Sequence, residues 1–141
     1  MAAASEMFVL DASVASVWFF EDEDTARADR VLGRLRETSG LVPPIWPLEV
    51  GNILLVGERR GRLTIEQTEM ALTLLAGLPI VIDGANTLTS LAELLNLGRD
   101  HGLSSYDASY LALARREQIP LATLDARLAA AARAAGVELL G

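Results

Sequence analysis

The chain has 141 residues, the size of one domain, and no cysteine, which excludes a disulfide framework, a thiolate nucleophile and a cysteine-ligated zinc site. All twelve basic residues are arginine, and the absence of lysine excludes a P-loop lysine and a lysine Schiff base. The net charge of -7 argues against a stand-alone nucleic-acid binder, because the electrostatic part of such binding comes from clustered cations.

Short apolar runs alternate with amphipathic patterns in the first half of the chain, and polar or glycine-rich turns separate them. Thr64 and Gln67 have the spacing of a capping box, which predicts that a helix begins directly after Thr64. The patterns together predict a strand at residues 7–10, a helix over 12–20, a turn at 21–24, a helix over 25–38, a short strand at 41–42, a helix over 47–60 and a helix over 65–76.

The second half continues the alternation of strands and helices. It predicts a strand at 80–82, a helix over 87–101, a helix from a Ser104 or Ser105 cap to about 116, a strand at 120–123, a helix that Asp125 opens and a final edge strand at 136–140. Such alternation predicts one α/β domain over residues 1–141, with a central sheet of four to five mostly parallel strands. No long apolar window and no secretory signal pattern is present, so we expect a cytoplasmic protein without a membrane partner.

Four acidic residues stand where the predicted strands end or the following helices begin. Asp11 and Asp125 each follow an apolar strand, and Glu49 and Asp107 each lie in the first turn of a helix. In a parallel sheet these positions share one edge, so we expect the four carboxylates to converge. Taken singly, each has an ordinary explanation as a helix cap, a first-turn acid or a turn residue.

Converging carboxylates repel one another unless a cation lies between them. Oxygen ligands are those that Mg²⁺ and Mn²⁺ prefer, and a carboxylate-held divalent cation suits phosphodiester hydrolysis, because it activates water without a side-chain nucleophile. The four acids therefore predict a hydrolytic metal centre that needs neither histidine nor cysteine.

Four segments in this order and spacing resemble the PIN-domain nucleases, and most closely the VapC-type toxins of bacterial toxin–antitoxin pairs. The segments are residues 9–13 (VLDAS), 49–52 (EVGN), 103–114 (LSSYDASYLALA) and 120–128 (PLATLDARL). The resemblance covers nearly the whole chain. It implies a three-layer α/β/α sandwich and a Mg²⁺- or Mn²⁺-dependent endoribonuclease that cuts tRNA, rRNA or mRNA.

The resemblance also implies roles for individual residues. Asp11 and Asp107 match the closest metal ligands, Glu49 matches a ligand that acts directly or through the attacking water, and Asp125 matches one that acts through water or on a second metal. The polar positions that line such sites are matched by Ser13, Asn52 and Thr123, which we expect to orient the carboxylates.

Candidate RNA contacts follow from charge and aromaticity. The densest cationic stretch is Arg59, Arg60 and Arg62, although cations at a helix end need no ligand to explain them. Arg127 lies close in sequence to Asp125, and Trp46 precedes Glu49 by three residues and is a candidate for stacking on a base, with core packing as the alternative.

The resemblance implies two protein partners, a VapB-type antitoxin and a second copy of the chain. Apolar helices between residues 25 and 76 carry more hydrophobic surface than a small monomer needs to bury, which fits both. The alternative hypothesis is a non-catalytic PIN-fold module that binds metal or a partner without turnover. A phosphatase or receiver built on the strand-end aspartate is excluded, because lysine is absent and Ala12-Ser13 stand where a second aspartate would be needed.

Overall fold

A computed structural model describes residues 6–20, 25–84 and 90–140 of the chain. Its strands are β1 (Phe8–Leu10), β2 (Gly40–Val42), β3 (Ile80–Ile82) and β4 (Leu121–Ala122). They pair in parallel in the order β3-β2-β1-β4. Phe8 aligns with Gly40 and Val9 with Leu121, so β1 is central, and all three of its residues are fully buried.

Helices on both faces of the sheet connect the strands, and a last helix follows β4. They are α1 (Ala12–Phe19), α2 (Ala26–Arg34), α3 (Trp46–Arg59), α4 (Ile65–Ala76), α5 (Leu91–His101), α6 (Ser105–Glu117) and α7 (Ala126–Ala134). The connections from β1 to β2 and from β2 to β3 advance in one direction across the sheet, and the connection from β3 to β4 returns. Because parallel crossovers are right-handed, α1–α4 lie on one face and α5–α6 on the other, which is the expected three-layer α/β/α arrangement.

The helix caps follow the sequence signals. The capping box at Thr64 and Gln67 is formed in both directions. Of the two candidate serines before α6, Ser104 is the cap, and its side chain accepts a hydrogen bond from the backbone N–H of Asp107 at 3.1 Å. Because Asp107 is part of this cap, its position in the first turn of α6 is fixed.

Two predicted elements are shorter than expected. The helix predicted over 25–38 ends at Arg34, because the N–H groups of Leu35 and Arg36 bond three residues back and tighten the chain into a turn. The strand predicted at 136–140 is a single bridge between Leu121 and Leu139. The N–H of Val137 donates to the carbonyl of Ala132 at the end of α7, so the segment pairs with β4 only at Leu139.

Two predictions fall outside the described residues. These are the turn at 21–24 and the first residues of the helix predicted from 87, of which the structure describes the part from Leu91. In the described part of the chain, no helix combines the length and the hydropathy that crossing a bilayer requires.

Candidate active site

Asp11 lies at the carboxyl end of the central strand and is 5% exposed. It occupies the N-cap position of α1, yet its side chain makes no capping hydrogen bond. Instead its Oδ2 accepts hydrogen bonds from the hydroxyls of Ser13 at 2.7 Å and Thr123 at 2.6 Å. The sequence therefore places a buried carboxylate at the edge of the sheet and holds it with two hydroxyl donors.

The two hydroxyls also join β4 to the start of α1. The backbone N–H of Leu124 donates to Ser13 Oγ at 2.9 Å, and that of Asp125 donates to Thr123 Oγ1 at 3.0 Å. Each hydroxyl thus accepts from the loop after β4 while it donates to Asp11. The loop that carries Asp125 is fixed relative to Asp11 through these shared groups.

Asp125 caps α7 through its side chain. Its Oδ1 accepts from the backbone N–H groups of Arg127 at 2.9 Å and Leu128 at 3.1 Å. Asp125 therefore acts as the helix cap that its place in the sequence predicts. The cap occupies one carboxylate oxygen and fixes the direction of the other.

Glu49 lies in the first turn of α3, where its Oε1 accepts a hydrogen bond from the hydroxyl of Tyr110 on α6. Tyr110 is fully buried and is the largest of the completely buried side chains. In the sequence, Tyr110 stands only as one residue of the segment 103–114. Its spacing of three residues from Asp107, one helical turn, indicates that the two side chains share a helix face, but it does not indicate the contact with Glu49.

The four acids, Asp11, Glu49, Asp107 and Asp125, are called here the acidic cluster. Burial is the largest cause that raises the pKa of Asp11, and the hydrogen bonds from Thr123 and Ser13 offset part of it. Repulsion from Asp125 raises the pKa of Asp11 further. The hydroxyls therefore keep a carboxylate in a place where burial disfavours its charge.

The same repulsion reaches the other members of the acidic cluster. Burial raises the pKa of Glu49 most, and the charges of Asp11 and Asp107 raise it further. The hydrogen bond from Tyr110 lowers it in part. The pKa of Asp107 is raised by burial and then by Asp11 and Asp125, and the charge of Arg127 lowers it. Four segments distant in sequence thus meet at the carboxyl edge of the sheet.

The donor chemistry of the acidic cluster fits a hard divalent cation. Every candidate ligand is a carboxylate oxygen, the ligand type that Mg²⁺ and Mn²⁺ prefer, and like-charge repulsion among the acids adds to burial in raising the pKa values of Asp11, Glu49 and Asp107. Within residues 6–20, 25–84 and 90–140, however, no three acidic or histidine side chains form a complete metal-binding group. The acids lie at one edge of the sheet, but among the described residues no three of them are placed to bind one ion together.

The remaining candidates lie around the acidic cluster. Arg127 is close enough to Asp107 to influence its pKa. Asn52 is exposed, and within the described residues no hydrogen bond links it to an acid. Trp46 is 6% exposed and belongs to the core, so its ring is not available to stack on a base, and the packing alternative is correct for this residue.

Arg60 and Arg62 line a separate pocket together with Asn52, and Arg59 is exposed nearby without lining it. This pocket is distinct from the acidic cluster. The three arginines are close together in sequence but differ in their surroundings, because Arg60 and Arg62 line this pocket and Arg59 does not.

Comparison with known proteins gives consistent matches. The PIN domain profile matches residues 8–134. Over 121 residues the chain is 30% identical to Ribonuclease VapC3 of Pyrobaculum aerophilum, covering 86% of this chain and 91% of that protein.

Two solved structures are similar in fold. PAE2754 from Pyrobaculum aerophilum aligns with a TM-score of 0.65 and 26% identity, over 91% of this chain and 80% of that one. FitAcB from Neisseria gonorrhoeae aligns with a TM-score of 0.61 and 20% identity, over 96% of this chain and 97% of that one, a likeness that concerns the fold alone.

Proposed function

The chain belongs to the PIN domain family, and from this premise we propose that it is a divalent-metal-dependent endoribonuclease and the toxin of a toxin–antitoxin pair. The observation that carries the proposal is the position of Asp11, buried at the carboxyl end of the central strand and held there by the hydroxyls of Ser13 and Thr123, with three more carboxylates from separate segments at the same edge. Similarity to Ribonuclease VapC3 along most of both chains supports RNA as the substrate.

In this proposal Asp11 and Asp107 are the closest ligands of Mg²⁺ or Mn²⁺. Glu49 ligates directly or through the attacking water, and Asp125 acts through water or on a second ion. The chemistry that the cation supplies when bound is a lowered pKa of water and stabilisation of the oxygen that leaves the phosphorus.

The residues around the acids hold them in place for this chemistry. Ser13 and Thr123 fix the carboxylate of Asp11 by hydrogen bonds of 2.7 and 2.6 Å. Tyr110 orients Glu49 through its hydroxyl, and Ser104 fixes the turn that presents Asp107. Buried positions for Asp11, Thr123 and Tyr110 limit the water that competes for these bonds.

RNA in a cytoplasmic location is the proposed substrate, and the exposed arginines Arg59, Arg60, Arg62 and Arg127 are the proposed contacts to it. A net charge of -7 means that RNA approaches through such local cations and through the divalent ion. A VapB-type antitoxin and a second copy of the chain are the proposed protein partners. Exposed apolar side chains support this part, among them Leu48 at 70%, Met70 at 71% and Ile82 at 53% exposure.

The test is cleavage of total RNA and of purified tRNA with Mg²⁺, Mn²⁺ or EDTA. We expect discrete fragments from the wild-type protein that EDTA abolishes. Asp11→Asn keeps an oxygen acceptor for Ser13 and Thr123 but removes the charge, so the fold persists and cleavage falls at least about a hundredfold, the effect of losing a group that acts in the transition state.

The matched control is Asp100→Asn, which makes the same chemical change at an exposed position near the end of α5. This variant is expected to cleave RNA at the wild-type rate. Full activity of Asp11→Asn would contradict the proposal. Metal binding by calorimetry without any cleavage would instead favour the alternative of a binding module without turnover.

A further inference from the structure

Tyr106 is the one aromatic residue with an exposed side chain in the part of the chain that the structure describes, and it is 58% exposed. The other aromatic residues are buried or half-buried: Phe8, Trp18, Phe19, Phe20, Trp46 and Tyr110. The hydroxyl of Tyr106 makes no hydrogen bond to another described residue. Neither burial in the core nor a polar contact therefore explains an aromatic residue at this position.

The position of Tyr106 on α6 places it beside the acidic cluster. It directly precedes Asp107 in the first turn of the helix. Tyr110 follows four residues later on the same side of α6, and its hydroxyl reaches Glu49 on α3. Because helical side chains lean toward the N-terminus of their helix, the ring of Tyr106 extends toward the carboxyl edge of the sheet. An exposed aromatic ring thus lies at the rim of the proposed metal site.

An aromatic ring suits the charge of this chain. With a net charge of -7, the chain gains little affinity from the attraction of phosphates. Stacking of a base on an aromatic ring needs no positive charge, and every base has a π face. The bases of single-stranded RNA are free to stack on a tyrosine in this way. An exposed ring next to acids that would act on a phosphodiester bond therefore fits a base of the same strand.

We propose that Tyr106 stacks on a base of single-stranded RNA next to the scissile bond and so holds the strand at the metal site. The inference rests on the proposed function, because the acidic cluster gives the base its place on the substrate. The contact differs from the proposed arginine contacts, since it is made to a base and not to a phosphate. It supplies the stacking that the sequence suggested for Trp46, whose ring is buried in the core.

The test measures binding of fluorescein-labelled oligouridylate in the Asp11→Asn background with Mn²⁺, over a range of NaCl concentrations. Tyr106→Ala is expected to weaken binding about tenfold, the effect of losing one stack between a base and an aromatic ring. The slope of log affinity against log salt should stay the same, because no phosphate contact is lost. Tyr106→Phe should restore the affinity of the parent, because it keeps the ring and removes only the hydroxyl.

Two controls separate stacking from a general effect of truncation. Leu95→Ala shortens a side chain of α5 that is 44% exposed, and little effect on RNA binding is expected. An abasic oligomer of the same length has the same phosphates and no bases, so Tyr106→Ala and its parent should bind it equally well.

Two results would overturn the proposal. One is equal RNA binding by Tyr106→Ala and Leu95→Ala, and the other is a loss in Tyr106→Ala that is as large on the abasic oligomer as on RNA. If the first result came with a changed oligomeric state of Tyr106→Ala, the exposed ring would belong to an interface between copies of the chain.

The outcomes separate this inference from the proposed function. If the wild-type protein cleaves RNA and Tyr106→Ala binds it as the control does, the stacking contact is wrong and the nuclease stands. If the wild-type protein does not cleave RNA but the loss in Tyr106→Ala depends on the bases, the stacking contact stands and the nuclease is wrong.

Discussion

The carboxylates of the acidic cluster are held by different partners. Asp11 and Asp125 both stand at N-cap positions, and only Asp125 caps its helix. Strand-end placement predicted that both would lie at one edge, but it could not predict that Asp11 turns to Thr123 and Ser13. Tyr110 was missed as a partner of Glu49, because a contact between α3 and α6 depends on tertiary packing that one helical pattern does not contain.

Thr123→Val tests the support of Asp11. Valine keeps the shape and removes the hydroxyl, so Asp11 loses a donor and the N–H of Asp125 loses its acceptor. Removal of a group that orients a ligand is expected to lower the cleavage rate about ten- to a hundredfold. The loss of buried hydrogen bonds is expected to lower the free energy of unfolding by about 1–3 kcal/mol.

Single-turnover cleavage with Mn²⁺ and urea denaturation measure the two effects of this change. Thr123→Ser is the control, because it keeps the hydroxyl and should retain most of the rate. A wild-type rate in Thr123→Val would show that the hydroxyl has no part in positioning Asp11.

Tyr110→Phe tests the orientation of Glu49. The ring stays in the core and only the hydroxyl is removed, so stability is expected to change by about 1 kcal/mol or less. We expect kcat to fall about tenfold or more and KM for RNA to stay near its wild-type value, because the change concerns the acidic cluster and not RNA contacts.

Calorimetry with Mn²⁺ adds a readout that is independent of cleavage, and weaker binding is expected in Tyr110→Phe. The matched control is Tyr106→Phe, the same change at an exposed tyrosine in the described part of the chain. A rise in KM with unchanged kcat would place Tyr110 in RNA binding instead.

At the scale of elements, apolar periodicity predicted the position of a helix correctly where the helix is long and its cap is encoded in neighbouring residues. The helices over 65–76 and 105–117 lie where the sequence predicted them, each with its cap. The final strand was wrong because pairing depends on the partner, and β4 has only two residues. The end of α2 was also misplaced, since a tight turn at Leu35 is compatible with the same apolar pattern.

The connection between α5 and α6 depends on a close approach at Gly98. The carbonyl of Gly98 accepts from the N–H of Leu103, and a Cβ at this position would lie 2.9 Å from the carbonyl oxygen of Leu103. The backbone must therefore shift in Gly98→Ala, and we expect the free energy of unfolding to fall by about 1–3 kcal/mol. Urea denaturation measures this change.

Gly33→Ala is the control for Gly98→Ala. It also lies in a helix, but no atom outside its own helix backbone is within 4 Å of the added Cβ. The helix propensity of alanine should stabilise this variant by up to about 1 kcal/mol. Equal effects of the two substitutions would contradict the close approach at Gly98.

At the scale of the whole molecule, the fold and the acidic cluster are related by topology. A parallel sheet with β1 at its centre brings the ends of β1 and β4 and the starts of α3 and α6 to one edge, which the alternation of elements could predict. Burial could not be predicted from the alternation, because it depends on how closely the helix layers cover that edge. Asp11 is buried and its pKa raised as a result, so part of the chain's stability depends on the charge of the site.

This coupling predicts how stability changes with pH. Asp11, Glu49 and Asp107 have raised pKa values in the folded state, so between the unfolded and folded pKa values the folded chain binds more protons than the unfolded chain. Their contribution to the free energy of unfolding is therefore present below the unfolded pKa values of 3.8 and 4.5 and is lost as pH rises through the folded ones. In EDTA, the site should destabilise the protein at pH 7.5 relative to pH 3.5, which lies below the unfolded pKa values.

The measurement is the difference in Tm between the wild-type protein and Asp11→Asn at pH 3.5 and pH 7.5, which cancels the contribution of acids elsewhere. Asp11→Asn should be the more stable at pH 7.5, and its advantage should shrink at pH 3.5, where Asp11 is largely protonated in both the folded and the unfolded chain. Mn²⁺ should reverse the order at pH 7.5, because a ligand at a hundredfold excess over its Kd stabilises the wild-type fold by about 2.7 kcal/mol. A wild-type protein more stable than Asp11→Asn in EDTA at pH 7.5 would show that the hydroxyls of Ser13 and Thr123 compensate the buried charge completely, and that the acidic cluster needs no cation to be stable.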